Sequence, residues 1–215
     1  EIAVATTKAY STQLAVLYLI SLYFADVLGS ISQEEYQTIL GELQRIPDKL
    51  EQVLAEKENT QQYASRYFNH DSIFFIGRNL DYAIGLEASL KLKEISYIHS
   101  EAYAAGELKH GTISLIEQGT LVIALATYAQ LFDKAVSNIV EVKSRGATVL
   151  ALTTEPYRAA MGKQADALIT IPDTHPVLMP SLAVVPMQLF AYYVALMRGC
   201  DIDKPRNLAK SVTVE

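Results

Sequence analysis

The sequence predicts an α/β sandwich in which a parallel sheet carries helices on both faces. Four short runs of apolar residues alternate with longer stretches that have helical spacing. Continuous apolar strands of this kind are typical of sheets that are buried on both sides. The alternation therefore indicates a doubly wound, Rossmann-like fold whose ligand crevice lies at the carboxyl ends of the strands. The predicted strands cover residues 72–77, 120–126, 148–154 and 167–172.

The first element is an apolar run from Leu14 to Ala25. It is too short to span a bilayer, which needs about 20 residues. A charged segment before it and a small-residue cleavage site after it are both missing from the sequence, so it does not resemble a signal peptide. We interpret the run as a buried helix and expect no membrane association.

Two polar helices are predicted next. Ser30–Ser32 followed by Glu34 and Glu35 is typical of a helix cap and first turn, and we expect this helix to end before Pro47. A second charged helix is predicted over residues 48–57. Together they would form a helical connecting arm before the sheet.

Helices are also predicted between and after the strands. Residues 81–98, 129–145 and 182–198 have apolar residues at helical spacing, and Gly146 is a typical stop for the second of these helices. Gly77 and Arg78 end the first strand, but neither GxGxxG nor GxxxxGK[ST] occurs. The sequence therefore contains no nucleotide-binding motif.

Composition excludes several classes of function. The chain has 215 residues, a net charge of -6 and a single cysteine, Cys200. This charge argues against binding to duplex nucleic acid, and one cysteine cannot form an internal disulfide. The four histidines are scattered, so they predict no metal site. A reducing, cytoplasmic environment fits this composition.

Residues 87–111 form the first of two unusual segments. On a helix, Glu87, Lys91 and Glu94 would share one face, and His110 precedes Gly111, where the backbone can turn tightly. The simpler interpretation of the three charged residues is an exposed ladder of ion pairs. A carboxylate beside a lysine, with a histidine on a turn, would instead suit proton transfer on a sugar.

The second unusual segment is the polar C-terminal stretch from Asp203 to Glu215, which contains Arg206 and Lys210. Gly199 and Pro205 stop the preceding helix. A solvated basic end is one interpretation. The other is a tail that closes over a site, where a lysine can form a Schiff base with a ketone.

Both segments, KLKEISYIHSEAYAAGELKHG and PRNLAKSVTVE, together with the opening EIAVATTKAYSTQL, resemble the glutamine:fructose-6-phosphate aminotransferases, or glucosamine-6-phosphate synthases. The resemblance covers the whole chain. It implies the C-terminal isomerase part, which in this family contains two flavodoxin-like sugar-isomerase (SIS) domains. The implied domains are residues 1–29, the closing helix of a mostly missing SIS domain; 30–62, a helical linker; 63–198, the second SIS domain; and 199–215, a catalytic tail.

The resemblance also implies roles for individual residues. Lys210 would form an imine with the open-chain ketose, Glu94 would move a proton between C1 and C2, and Lys91 would orient Glu94. His110 would open the sugar ring from the neighbouring subunit, which implies a homodimer. Thr6 stands where the family usually has serine, and we expect the hydroxyl function to be kept. The implied substrate-binding and tail-supporting residues are Val4, Thr6, Ala209 and Arg206.

The implied activity converts fructose 6-phosphate and glutamine-derived ammonia to glucosamine 6-phosphate, without a cofactor or metal. The glutaminase domain that supplies ammonia would lie outside this chain. Two alternatives stay open. One is a related SIS enzyme, such as an amino-sugar phosphate deaminase or deglycase, and the other is a non-catalytic SIS module that senses a sugar phosphate.

Overall fold

The computed structural model describes residues 4–207, and a parallel sheet of five strands lies at its centre. The strand order is β2-β1-β3-β4-β5, which is the flavodoxin-like order. The predicted sandwich with a parallel sheet is therefore confirmed. The strands are β1 (Ser72–Gly77), β2 (His99–Ala104), β3 (Leu121–Ala126), β4 (Thr148–Thr154) and β5 (Ala167–Ile171).

Helices cover both faces of the sheet. On β1, the side chains of Ile73 and Phe75 belong to one apolar core, while those of Phe74 and Ile76 belong to another on the opposite face. The first core is completed by α1–α4 and α7, and the second by α5, α6 and two short 3-10 segments, 105–110 and 112–115. The helices are α1 (Lys8–Val27), α2 (Gln33–Ala55), α3 (Lys57–Tyr67), α4 (Leu80–Ser96), α5 (Phe132–Lys143), α6 (Arg158–Met161) and α7 (Met179–Met197).

Strand β2 is an element that the sequence pattern did not predict. It lies at the edge of the sheet and pairs in parallel with β1, from Ser72 opposite His99 to Gly77 opposite Ala104. Within β2 only Ser100 is buried. Its sequence, HSEAYA, has no continuous apolar run of the kind by which the other four strands, including the opposite edge strand β5, were identified.

The prediction of two separate helices around Pro47 was wrong, because α2 runs through this proline without a break. Ile39, Ile46 and Val53 are buried along a single stripe on both sides of Pro47. A proline removes one backbone hydrogen bond, and continued burial of the stripe outweighs that loss. The predicted cap is confirmed, since the Ser32 hydroxyl accepts a hydrogen bond from the Glu35 N–H at 3.1 Å.

The expectation that residues 14–25 form a buried helix was wrong in one respect. They lie in α1, but Leu22 is the only residue of α1 that is fully buried. Val16, Ile20, Tyr23 and Val27 are 45–63% exposed and recur at the spacing of one helical stripe. Residues 4–207 therefore leave one apolar face of α1 uncovered.

Helix α7, rather than residues 14–25, has the length and hydropathy of a membrane span. The segment that meets these criteria is Pro176–Met197, and 72% of its most apolar 18-residue stretch is buried within the protein. It packs against α3 and α4 on one face of the sheet. Burial of this kind explains the apolar sequence of α7 as that of a core helix.

Candidate active site

A buried lysine between two carboxylates lies in the C-terminal half of α4. The Nζ atom of Lys91 is 2.5 Å from Oε2 of Glu94 and 3.6 Å from Oε1 of Glu87. Helical spacing brings the three side chains to one face, as the sequence predicted. The side chain of Lys91 is 4% exposed, so this group is not the solvated ladder of the simpler interpretation.

The electrostatics of this triad follow from burial and mutual pairing. Burial raises the pKa of the Glu87 carboxyl; the positive charge of Lys91 opposes this rise, and the negative charge of Glu94 adds to it. A buried ammonium is stable only when it is paired, and two carboxylates supply that pairing. The short bond from Lys91 also fixes the direction in which the Glu94 carboxylate points.

A cavity of about 190 Å³ adjoins Lys91. Its walls come from α4, from α7 and from the two segments that precede α1 and follow α7. This position differs from the predicted one, because its lining includes no residue from the carboxyl ends of the strands. Tight packing between α4 and α7 places the cavity in the helical layer. It is lined by Ala5, Thr7, Lys91, Ile95, Gln188, Tyr192, Ile202 and Asp203.

The segment before α1 contains two of the predicted sugar-binding residues. The N–H of Val4 donates a hydrogen bond of 3.2 Å to the carbonyl of Asp203, which joins this segment to the one after α7. Thr6 is exposed, while its neighbours Ala5 and Thr7 line the cavity. Val4 and Thr6 therefore lie next to the cavity but do not form its wall.

The segment after α7 is attached to the end of α4 through Arg206. Its N–H donates a hydrogen bond of 2.9 Å to the Tyr97 hydroxyl, and its guanidinium carbon lies 4.1 Å from the centre of the Tyr97 ring. Tyr97 follows α4 directly and has a φ of 62°, which is rare for a residue with a side chain. Lys210 and Ala209 lie outside the described residues, a few positions beyond this attachment.

His110 follows β2, at the end of the 3-10 segment 105–110, whereas Glu94 precedes this strand. None of the residues that line the cavity beside Lys91 belongs to that segment. The His110 side chain is 65% exposed, with Nε2 3.8 Å from a carboxylate oxygen of Glu107.

Sequence reasoning missed two residues of this region. Tyr97 carried no local signal, because its contact with Arg206 joins distant parts of the chain. Gln188 did carry one, as an amide inside the apolar sequence LAVVPMQLFAYYVAL. No group of three or more histidine, cysteine, aspartate or glutamate residues within residues 4–207 is arranged to hold a metal ion.

Comparison with solved structures supports the assignment of the fold. The C-terminal domain of glucosamine-fructose-6-phosphate aminotransferase from Francisella tularensis superposes with a TM-score of 0.91 at 33% identity, covering 95% of this chain and 58% of that one. Glucosamine-6-phosphate deaminase from Thermotoga maritima superposes with a TM-score of 0.69 at 26% identity, covering 99% and 58%.

Sequence comparison identifies the family. A glutamine--fructose-6-phosphate aminotransferase (isomerizing) from Caldanaerobacter subterraneus subsp. tengcongensis is 58% identical over all of this chain, which corresponds to 35% of that protein. The chain thus spans about a third of the length of such relatives and is similar to their C-terminal part. A family model described as SIS domain matches residues 66–198. The chain therefore belongs to the SIS domain family.

Proposed function

We propose that this chain is the isomerase part of a glutamine:fructose-6-phosphate aminotransferase. In the complete protein it would convert fructose 6-phosphate and ammonia to glucosamine 6-phosphate, a step of amino-sugar biosynthesis. The observation that carries the proposal is the buried Lys91, paired with Glu94, beside a cavity bordered by the segment that leads to Lys210. The sequence identity of 58% between the whole chain and the Caldanaerobacter aminotransferase supports the proposal.

The chemistry assigns one task to each residue. The Lys210 amine attacks the C2 carbonyl of the open-chain ketose, and water leaves as the imine forms. Ammonia then adds to C2 and displaces the Lys210 amine, which leaves a sugar imine whose C1 protons are more acidic. The Glu94 carboxylate removes one of them and returns a proton to C2, while Lys91 holds the carboxylate in place. Val4, Thr6 and Ala209 would contact the sugar, and Arg206 would hold the tail.

His110 would act from a second copy of the chain. The exposure of the imidazole supports this assignment, because it leaves His110 accessible to another chain. A histidine opens a sugar ring by exchanging protons with the ring oxygen, which requires direct contact. A homodimer in which each His110 reaches the partner's sugar would satisfy that requirement.

The domain boundaries implied by the resemblance are also part of the proposal. Residues 1–29 would close a preceding SIS domain, and the uncovered apolar stripe of α1 supports this assignment. Residues 30–62 would link it to the second SIS domain at 63–198, with the catalytic tail at 199–215. The preceding domain is the occupant we propose for the exposed face of α1.

The remaining partners follow from the family. The relatives whose names include glutamine are about three times longer than this chain. We assign the ammonia supply to a glutaminase domain in the part of the full-length protein that this chain does not cover. We place the protein in the cytoplasm, since its single cysteine requires no oxidising compartment.

A glucosamine-6-phosphate deaminase is the second candidate function. The structural similarity to the Thermotoga maritima protein favours it, because deamination of the same amino sugar uses related proton transfers. The two candidates differ in the direction of the net reaction. A deaminase releases ammonia from glucosamine 6-phosphate, whereas the aminotransferase consumes glutamine.

The test is chemical trapping of the imine. In a chimera, this chain replaces the matched 35% of the Caldanaerobacter aminotransferase. The chimera is mixed with fructose 6-phosphate and borohydride, and the reduced adduct is located by mass spectrometry. We expect the adduct on Lys210, together with glutamine-dependent formation of glucosamine 6-phosphate.

Two lysine variants make the trapping experiment specific. Lys210→Arg keeps the positive charge but removes the nucleophile, because guanidinium stays protonated, so the adduct should disappear. Lys204→Arg, at an exposed position in the same segment, should retain the adduct. An active chimera without an adduct on Lys210 would contradict the imine. If the chimera instead released ammonia from glucosamine 6-phosphate without using glutamine, the result would favour the deaminase.

A further inference from the structure

The guanidinium of Arg78 contacts both helix α5 and the 3-10 segment 105–110. Its Nε donates a hydrogen bond of 3.0 Å to Oδ1 of Asn138, a buried residue of α5. The same guanidinium lies against Gly106, since a Cβ atom added to this glycine would be 3.2 and 3.3 Å from the two Nη atoms. Arg78 therefore connects α5 to the segment that ends at His110.

The sheet places Arg78 beside this segment. Gly77 and Ala104 are the last residues of β1 and β2 and lie opposite each other in the register of the two strands. The residues that follow them, Arg78 and Ala105, therefore leave the sheet side by side at its carboxyl edge. Because Arg78 stands between β1 and α4, two elements of the core hold its backbone.

Packing, rather than backbone conformation, explains why Gly106 has no side chain. Its φ lies outside the left-handed region, so a residue with a side chain could adopt the same backbone. A methyl group at this position would instead approach the guanidinium more closely than ordinary van der Waals contact allows. The missing side chain thus lets Arg78 reach the backbone of the segment.

The segment carries His110 at a short distance along the chain from these contacts. Ala105 and Leu108 are buried in the same apolar core as α5, whereas the side chain of His110 is 65% exposed. A group that transfers protons is effective only when its neighbours hold it to within a fraction of an ångström. The contact at Gly106 adds a further point of attachment to the segment that presents the imidazole.

We propose that Arg78 is a positioning residue, which holds the segment 105–110 so that His110 is presented to the sugar bound by the partner chain. The inference rests on the proposed function, in which His110 opens the sugar ring. Arg78 acts through the segment and does not touch the sugar. Its replacement should therefore impair ring opening and leave the later steps intact.

An open-chain substrate separates ring opening from the later steps. The analogue 5-deoxyfructose 6-phosphate lacks the hydroxyl that closes the furanose ring, so it needs no ring opening. In the chimera with the Caldanaerobacter protein, Arg78→Gln should lower kcat/KM for fructose 6-phosphate about 10-fold, which is part of the roughly 100- to 10,000-fold contribution of general acid–base catalysis. The kcat/KM of the variant for the open-chain analogue should equal that of the wild type.

Gly106→Ala tests the same contact from the side of the segment. Its methyl group should displace the guanidinium and cause the same selective loss. In the Arg78→Gln background, Gly106→Ala should have little further effect, because both changes act on one contact. The controls are Gly41→Ala, where an added Cβ meets no atom within 4 Å, and Arg145→Gln at an exposed position, and they should change neither value.

His110→Gln is the reference for a selective loss. If this variant does not lose activity selectively towards fructose 6-phosphate, the ring-opening role of His110 is overturned together with this inference. If His110→Gln is selective but Arg78→Gln is not, only the role of Arg78 is overturned. An equal loss with both substrates and a lower unfolding temperature in Arg78→Gln would show that Arg78 is merely structural. A folded wild-type chimera that is inactive with both substrates would overturn the proposed function itself.

Discussion

Tyr97 and Arg206, far apart in the sequence, are joined by a hydrogen bond of 2.9 Å and by a guanidinium carbon 4.1 Å from the ring centre. Tyr97 ends the helix that contains Lys91 and Glu94, and Arg206 lies four residues before Lys210. One tyrosine therefore attaches the segment leading to the proposed nucleophile to the helix of the proposed base.

Tyr97→Phe should slow the reaction without unfolding the protein. The variant keeps the ring beneath the guanidinium but loses the acceptor for the Arg206 N–H. We expect kcat to fall about 3- to 10-fold and the yield of the borohydride adduct to fall with it. Tyr157→Phe, which packs against the apolar core on the other face of the sheet, is the control. Unchanged kcat and adduct yield in Tyr97→Phe would contradict a positioning role.

Lys91→Met should damage both stability and activity. It leaves Glu87 and Glu94 as neighbouring carboxylates without the ammonium that pairs them. Breaking a buried pair in this way costs about 3 kcal/mol in the free energy of unfolding, and we expect the isomerisation rate to fall about 100-fold or more.

The stability deficit of Lys91→Met should shrink in acid, as the Glu87 carboxyl, whose pKa is raised by burial, becomes protonated. Urea unfolding at neutral and acidic pH measures this effect, and Lys93→Met, at an exposed position, is the control. A deficit that is independent of pH would indicate lost packing rather than lost pairing.

Asp81 should make stability depend on pH. Its carboxyl is 2% exposed and accepts hydrogen bonds from the N–H and hydroxyl of Thr127 at 2.9 and 2.6 Å. Burial nevertheless raises its pKa from 3.8 to about 6. The folded state thus binds the proton more tightly, so the stability that this group contributes is full below pH 3.8 and is lost as the pH rises through about 6.

The full change from this raised pKa corresponds to about 3 kcal/mol. We expect Asp81→Asn, which cannot ionise, to lack this part of the pH dependence in urea unfolding. Asp133→Asn, in the first turn of α5, is the matched control for a helix N-terminal aspartate. Parallel pH profiles of the wild type and Asp81→Asn would contradict the prediction.

Glu42 should stabilise the attachment of α2 to the sheet. Its carboxylate pairs with Lys49 at 2.5 Å and Arg45 at 2.8 Å and accepts a hydrogen bond of 3.0 Å from the Thr174 hydroxyl. The bond from Lys49, with smaller contributions from Arg45 and Thr174, outweighs burial and lowers the pKa of Glu42 from 4.5 to about 2. The stabilisation is therefore present above pH 4.5 and is lost as the pH falls through about 2.

Glu42→Gln should lower the free energy of unfolding by about 1 kcal/mol at neutral pH, because the partly exposed pairs are screened by solvent. The difference from the wild type should decrease on acidification. Glu51→Gln, at an exposed position on the same helix, is the control. An equal loss of stability in both variants would contradict a specific role for Glu42.

The exposed stripe of α1 should cause the isolated chain to self-associate. Replacing Val16, Ile20 and Tyr23 with glutamine removes much of the exposed apolar surface while keeping helix propensity. Sedimentation should show weaker association of this variant. In the chimera the same changes should impair activity, because the preceding domain would cover this face. Association as strong as that of the wild-type chain would refute the prediction.

The local pattern of apolar residues in the sequence predicted much of the sheet. Four strands were located within a residue or two, because burial on both faces requires an unbroken apolar run. The predicted stop at Gly146 is confirmed, since its φ of 94° suits glycine and its N–H bonds to the carbonyl of Lys143, the last residue of α5. Strand β2 was missed because its sequence, HSEAYA, carries no such run.

The sequence by itself determined the fold class, the family and the common helical face of Glu87, Lys91 and Glu94, since these depend on residues close together in the chain. Tertiary structure decided that Lys91 is buried, that Gln188 lines the same cavity and that Tyr97 attaches to Arg206. These relationships depend on how α4, α7 and the two end segments pack together, and packing between distant segments leaves no periodic signal in the sequence.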